Sequence, residues 1–414
     1  MPSASFSEDV QQALQHVRYL SQTIGGRGSC TVQERRAGEY AAEQMQQIGV
    51  KEIRVEPFTA IPSTYWGYAL SFAAALTGLL IVLLSDRQGE RLLAMLLNLA
   101  GVWGFLAETE FAPSWTRWAL SRKESQNVCG VIPAKSDARA RIVLCAHLDT
   151  HRTPIFYSSE AWYAAFTALV SLSFLSMIVG AAALGLSIYQ GWMSARWVSL
   201  VLLPVQLFGL AMCLHADFTP YSPGANDNAT GVGAALALAQ RLRQLPLKHT
   251  EIHLAFTGCE EVGDWGIAAY LDKNALKLGK DTTYIILDEV GLGGLKYLTA
   301  DGLIFKHKTH PRALELARQA KHALPEIEIV EGVGLAYTDA LQATKRGLMA
   351  LTVCTVPAPR SGIVSHWHRM TDTMETIRER DLENTLQFAW TLLQLVDRRA
   401  SNAVDSNSMR VSER

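Results

Sequence analysis

Cysteine is scarce in this sequence. The six present, Cys30, Cys129, Cys145, Cys213, Cys259 and Cys354, form no C-x-x-C pair and recur at no regular interval. That excludes a disulfide framework and a thiolate zinc site as organising features, and it fits a reducing compartment. Charge of either sign is also in short supply. The net charge is −1 and Lys and Arg gather into no long run, so nothing points to nucleic acid or to a strongly anionic partner. The opening residues, MPSASFSEDVQQALQHVRYL, lack the basic stretch, apolar stretch and small-residue cleavage site of a signal peptide, and none is expected.

Charged residues are missing altogether from four long apolar stretches, which come as two pairs. Tyr65 to Leu84 is followed by the polar link SDRQGER and then by Leu92 to Ala107. Ala161 to Ala195 ends at Arg196 and continues with Trp197 to Leu214. A membrane-spanning helix needs about 20 apolar residues, a length that the first and third stretches clearly reach; the fourth is adequate and the second is short. Trp66, Tyr163, Trp192 and Trp197 stand near the ends, where an interfacial aromatic belt belongs. The sequence therefore predicts two transmembrane helical hairpins and a lipid bilayer as partner.

Outside the hairpins the pattern is α/β: a mixed central sheet flanked by helices. Helices are expected over Glu8 to Thr23 and Thr31 to Ile48, with Gly49 as a C-cap, then a strand near Glu52 to Phe58. Strands Asn127 to Pro133 and Arg141 to Ala146, separated by the turn-like AKSDA, are expected to pair antiparallel. Helix Thr230 to Leu245, strand Glu251 to Thr257, helix Asp264 to Leu271 and strand Tyr284 to Asp288 alternate after them. A helix over Pro311 to Ala323, a strand near Met349 to Cys354 and a helix over Glu379 to Arg398 complete the reading. The resulting division is catalytic segments at 1–60, 113–158 and 217–400, hairpins at 61–112 and 159–216, and a polar, disordered tail at 401–414.

Five short segments place acids or imidazoles at element ends: AHLDTH, GANDNATG, FTGCEEVGDWG, ILDEVG and HWHRMTD. His147 and Asp149 stand two apart at a strand end, so period-2 geometry aims both the same way. Asp227 lies in a Gly/Asn-rich turn before an Ala-rich helix, a place where an N-cap is the plainer explanation. Glu260 and Glu261 follow an apolar strand as adjacent carboxylates whose side chains diverge, so one can bind metal while the other handles protons. Asp288 follows the apolar YIIL, where a carboxylate needs a cation, donors or water. His368 stands four before Asp372. Singly each signal is weak; together, two imidazoles and several carboxylates match nitrogen and oxygen ligation of zinc.

These segments, in this order, read H-x-D, G-x-x-D-N-x-x-G, E-E-x-G, D-x-x-G and H-x-x-x-D, and here the sequence resembles the co-catalytic di-zinc aminopeptidases of clan MH. The resemblance runs from about Ser7 to Ala400 with the two hairpins removed. It implies a zinc metallopeptidase holding two Zn2+ ions, the first bound by His147 and Asp288, the second by Glu261 and His368, and both bridged by Asp227. It also implies that Glu260 is the general base and that Asp149 is the partner of His147. The expected activity is that of an aminopeptidase on peptide substrates; a carboxypeptidase, dipeptidase or other amidohydrolase on the same fold, or a non-catalytic membrane receptor, is the alternative. The family's motif carries a Tyr where this chain has Trp367, and the spacing from His147 to Asp227 is enlarged by the second hairpin.

Two expectations concern placement. Arg18, Arg27, Arg35, Arg36, Lys51 and Arg54 precede the first hairpin and Arg117, Arg122 and Lys123 follow it; positive charge beside the spans favours a cytoplasmic catalytic domain. The strand directions place the active site toward the bilayer.

Overall fold

The computed structural model describes residues 6–85, 87–190, 192–357 and 365–412. The chain divides into two compact units: one made of Met1–Ala60, Glu124–His151 and Tyr221–Arg414, the other of Ile61–Lys123 and Arg152–Pro220.

 In the second unit the chain thus runs over Ile61–Lys123 and then Arg152–Pro220.

In chain order, α1 (Ser7–Arg18) ends in a π-helical turn at Tyr19–Ile24, and α2 (Val32–Ile48) follows. The Thr31 side chain accepts the Glu34 N–H as an N-cap, and Gly49 ends the helix in the left-handed region at φ 84°, the C-cap read from the sequence. β1 (Lys51–Ala60) precedes α3 (Tyr65–Leu84), α4 (Gln88–Thr109) and the short α5 (Trp115–Ala119). Next come β2 (Lys123–Ile132), β3 (Ala140–His147), α6 (Glu160–Gln190) and α7 (Trp192–Asp217). Alternation then sets in with α8 (Gly231–Gln244), β4 (Thr250–Thr257), α9 (Trp265–Leu278) and β5 (Thr283–Leu287). After β6 (Gly294–Asp301) and β7 (His307–Lys308) come α10 (Pro311–His322), β8 (Ile329–Val333), α11 (Ala340–Lys345), β9 (Met349–Val356) and α12 (Glu379–Ser412). α12 continues past Arg398, where the sequence suggested its end.

The first unit is a mixed sheet in the order β1-β2-β4-β3-β5-β9-β6-β7, with β8 beside β6. β2 and β3 do not pair with each other, which corrects the expected hairpin. β4 lies between them, antiparallel to β2 and parallel to β3. The physical reason lies in the connection. Lys135 and Ser136 donate their N–H groups to the carbonyls of Leu247 and Lys248, and Arg139 donates to that of His249, so the AKSDA segment crosses the start of β4 instead of folding back on β2. β6, β7 and β8 are additions to the sequence reading, and α9 runs to Leu278 rather than Leu271.

Parallel strands β4, β3, β5 and β9 form the centre of the sheet. In β3, Ile142 through Ala146 are wholly buried, as a central strand covered on both faces requires. α8 packs on β3 and β5, with α1 and α12 against it. Its approach to α1 needs Gly233, where a Cβ would come within 2.7 Å of the Ala13 carbonyl oxygen. Parallel strands aim their carboxyl ends at one edge of a sheet, and that edge is where open α/β folds place their sites.

The second unit holds α3, α4, α6 and α7, four helices long and apolar enough to cross a membrane. The stretch that seemed short in the sequence belongs to α4, which reaches 22 residues by taking in polar residues at both ends. Phe72, Ala75, Phe105 and Met177 pack inside this unit, while Leu84, Leu93, Leu96 and Val201 are exposed. Asn98 is fully buried among these helices; its amide donates to the carbonyls of Ala75 and Ala94, and Gln206 donates to its Oδ1 at 3.4 Å. Arg117 grips the Glu108 carboxylate through two hydrogen bonds, at 3.0 and 3.2 Å, with both groups buried.

Candidate metal centre

The apolar strands β3, β4 and β5 end at His147, Thr257 and Leu287. The polar groups that follow these ends are therefore delivered to one edge by the burial that drives the strands together. His147 is the last residue of β3; its Nδ1–H donates to the Asp149 carbonyl oxygen at 3.1 Å, which leaves Nε2 to act as a ligand. Nε2 stands 3.3 Å from Asp227 Oδ1 and 3.4 Å from Asp288 Oδ1. The other oxygen of Asp227, Oδ2, stands 3.3 Å from His368 Nε2, which in turn lies 3.3 Å from Glu261 Oε2. Glu260 Oε2 is 4.0 Å from His147 Nε2. All six of these side chains are buried.

Those separations decide what the donor set fits. Two donors each about 2.0–2.1 Å from one tetrahedral zinc stand roughly 3.3–3.4 Å apart. Asp227 meets that condition with one oxygen against His147 and the other against His368, and Asp288 and Glu261 meet it against the same two imidazoles. His147, Asp227 and Glu261 bring ligand atoms within 4.8 Å of one another, and so do His151, Glu261 and His368. Glu261 Oε1 is buried with no hydrogen-bond partner among the described residues, an oxygen that a cation would satisfy. The residues fit a pair of zinc ions.

The electrostatics carry the same message. Burial alone would push the His147 imidazole down, but Glu260, Asp149, Asp227 and Asp288 around it drive it well above its ordinary value. Burial pushes the Glu261 carboxyl up to about 7, with Asp227 adding to the rise and His368 opposing it. Burial also raises Glu260, which His147 opposes and Asp264, Glu261 and Asp288 reinforce. Asp227 is the exception: burial would raise it, yet hydrogen bonds with His147 and His368 hold it well below the carboxylate range.

The groups behind these side chains are hydrogen-bonded in turn. The Asp149 carboxylate accepts Ser29 Oγ–H at 2.6 Å and the N–H groups of Glu260 and Glu261, both at 3.1 Å. It thus fixes the acidic pair, while its closest approach to His147 Nδ1 is 3.6 Å. Asp372 accepts the N–H groups of Asn226 at 2.8 Å and Asp227 at 3.1 Å. The Asp227–Asn228 peptide is cis. Asn228 donates to the Leu287 carbonyl and accepts from Gly231 N–H, tying this turn to the end of β5. Trp367 lies beside His368 with ring centroids 4.1 Å apart.

Sequence reasoning missed two residues here. Arg27 is 1 % exposed and donates to the carbonyls of Leu148, Leu20, Gly25, Pro223 and Gly224 at 2.8–3.1 Å. It thereby joins the segment after His147 to the segment before Asp227; burial lowers its guanidinium to about 10. Its signal was faint, a lone Arg among glycines in GGRGS. His151 is the other, the last residue of AHLDTH and close to His368.

Residues 208–393 match the model of Peptidase family M28. That segment belongs to the M28 family. The M28 segment contains Asp227, Glu260, Glu261, Asp288 and His368, while His147 and Asp149 lie before it. Aminopeptidase YwaD of Bacillus subtilis is 38% identical over 78 residues, 19% of this chain and 17% of its own length. The probable lipoprotein aminopeptidase LpqL of Mycobacterium tuberculosis is 37% identical over 91 residues, 21% of this chain and 18% of its own length. The chain therefore matches less than a fifth of the length of either relative. Among solved structures, the zinc aminopeptidase BSAP from Bacillus subtilis superposes with a TM-score of 0.55 at 14% identity, covering 94% of this chain and 95% of that one. The aminopeptidase from Aneurinibacillus sp. strain AM-1 gives 0.56 at 15% identity, covering 93% of each chain. A glutaminyl cyclase from Bacteroides thetaiotaomicron gives 0.52 at 16% identity, covering 93% of this chain and 97% of that one. The M28 segment thus sits in the mixed α/β fold of zinc aminopeptidases.

Proposed function

We propose that this chain is a membrane-embedded zinc exopeptidase that removes N-terminal residues from peptides, with two zinc ions at the carboxyl edge of the sheet. The observation that carries the reading is the division of the Asp227 carboxylate, one oxygen 3.3 Å from His147 Nε2 and the other 3.3 Å from His368 Nε2. His147, Asp288 and Asp227 would hold one ion, and Glu261, His368 and Asp227 the other. Bound there, zinc would polarise a scissile carbonyl and make a water acidic near neutral pH. Glu260 takes the proton from the attacking water and delivers it to the leaving amine nitrogen, a role suited to a buried carboxyl raised from its ordinary range. Asp149 keeps Glu260 and Glu261 in place through their backbone N–H groups. The M28 segment and the aminopeptidase relatives support hydrolysis of peptides as the reaction. We read α3, α4, α6 and α7 as two spanning hairpins, and the Arg and Lys residues flanking the first favour a cytoplasmic catalytic unit.

The test uses the full chain purified in detergent with peptides bearing free or blocked N-termini. The wild type is expected to cleave only free N-termini. Glu260→Gln is expected to retain two zinc ions and to lose at least about a hundredfold in turnover, the scale of a lost proton-transfer group. Unchanged turnover in Glu260→Gln would remove Glu260 from the mechanism, and cleavage of N-blocked peptides alone would make the enzyme a carboxypeptidase.

A further inference from the structure

Two cysteines meet beside the acidic pair. Cys30 Sγ lies 3.4 Å from Cys259 Sγ, although 229 positions separate them in the chain. One buried carboxylate holds both residues. Glu34 Oε2 accepts the Cys30 N–H and Glu34 Oε1 the Cys259 N–H, each at 2.8 Å, while Ser125 Oγ–H fixes Glu34 at 2.8 Å. The Cys259 S–H also donates to Glu34 Oε1, at 3.5 Å. The two thiols differ in access: Cys259 is buried and Cys30 is partly exposed. Both adjoin groups that order the metal centre. Cys259 directly precedes Glu260. Cys30 follows Ser29, whose hydroxyl donates to the Asp149 carboxylate that receives the N–H groups of Glu260 and Glu261.

We propose that Cys30 and Cys259 form a modification site, a dithiol that a low-molecular-weight disulfide oxidises reversibly and that slows hydrolysis when it closes. The effect on hydrolysis rests on the peptidase reading above; the bond itself does not. The oxidant meets Cys30 first, because Cys259 is buried behind it. The Cys30 thiolate attacks one sulfur of the small disulfide, whose S–S bond breaks; the thiolate released takes up the proton that Cys30 has lost. Cys259 then attacks Cys30 Sγ in the mixed disulfide, and its proton passes by way of the Glu34 carboxylate to the second departing thiolate. The two protein sulfurs lose two electrons and the small disulfide is reduced to two thiols. Closure draws the sulfurs from 3.4 Å to about 2.05 Å, and the residue next to the moving Cys259 is Glu260. In a reducing compartment a disulfide of this kind is transient and redox-sensing, not a staple of the fold.

The experiment equilibrates the full chain in detergent, with zinc present throughout, in mixtures of reduced glutathione and glutathione disulfide. Alkylation then traps the remaining thiols, and peptide mass spectrometry reads the bonds. In the wild type the oxidising mixtures should yield a peptide carrying Cys30 linked to one carrying Cys259. Turnover on a peptide with a free N-terminus should fall about ten- to a hundredfold, the scale on which an about 1 Å misplacement of catalytic groups acts, and return when dithiothreitol is added. Cys30→Ser should match the turnover of the reduced wild type and keep it under oxidation. Cys259→Ser, read by mass alone, should stop at glutathione bound to Cys30. A wild type that yields no linked peptide in glutathione disulfide alone would overturn the site, and so would a Cys30→Ser variant that loses turnover to the oxidant as the wild type does. A linked peptide with unchanged turnover would overturn the control of hydrolysis. Reduced wild type that cleaves no peptide would instead sink the peptidase reading, while the linked peptide still reports on the dithiol.

Discussion

Replacing Arg27 with Met tests how the metal centre is held together, because one buried side chain there bonds five backbone carbonyls. Methionine occupies similar length but donates nothing. The carbonyls of Gly25 and Pro223 are partly accessible and can turn to water; those of Leu148, Leu20 and Gly224 are bonded in the interior. Each acceptor left dry costs about 1–3 kcal/mol, offset in part because a guanidinium no longer has to be desolvated. A net loss of about 3–4 kcal/mol is expected, or roughly 6–15 °C in the melting temperature of a unit this large. Activity should fall more steeply than stability, since Leu148 adjoins His147 and Gly224 opens the turn that presents Asp227. Arg27→Lys keeps the charge but cannot reach three segments at once, and should fall between Met and the wild type. Thermal melting and zinc occupancy of the full chain in detergent measure both effects. If Arg27→Met melts within about 1 °C of the wild type and keeps its zinc affinity, the claim that Arg27 organises the ligand segments is wrong.

Three further outcomes follow from the same geometry. Asp372→Asn replaces a carboxylate that accepts two N–H groups at 2.8 and 3.1 Å with an amide able to accept through only one atom; zinc affinity should drop about 10–100-fold in chelator competition. Gly231→Ala would set a Cβ 2.3 Å from the Leu287 carbonyl oxygen and should cost about 1–3 kcal/mol or more in denaturant titration. Burial lowers His16 to about 4 while Tyr40 Oη lies 2.7 Å from its Nδ1, so the folded state prefers the neutral ring. Stability is then fully present above pH 6.5 and is lost as pH falls through 4, by about 2–3 kcal/mol; His16→Gln should flatten that part of the stability–pH profile, and an unchanged slope would discount His16.

Which parts of this molecule could be read from the sequence depends on how local their causes are. The C-cap of α2 and the apolar helices α3, α4, α6 and α7 announce themselves within a few turns of chain, because Gly49 and long uncharged runs act locally. The five acid- and imidazole-bearing segments, whose side chains the fold brings together, were legible because each sets such a group at or near an element end. The order of the sheet was not. AKSDA has the composition of a hairpin turn, and only the distant Leu247 and Lys248, which accept the N–H groups of Lys135 and Ser136, and His249, which accepts that of Arg139 just after it, make it a bridge over β4. β8 was missed for a related reason: in IVEGV only Ile329 is buried, so it lacks the apolar run of a central strand. Arg27 and His151 take their meaning from partners more than a hundred residues away, Leu148 for one and His368 for the other.

The position of β4 between β2 and β3 also sets a schedule for synthesis. When His147 leaves the ribosome, β2 and β3 exist but the strand that both pair with, Thr250–Thr257, has not yet been made. Roughly a hundred residues, about 5–20 s of translation, must pass first. During that interval α6 and α7 emerge, and the edges of β2 and β3 have no partner from β4. The sheet cannot close before β4 is made, so His147 is the first of the clustered side chains to be synthesised, and the edge it belongs to is among the last to be built.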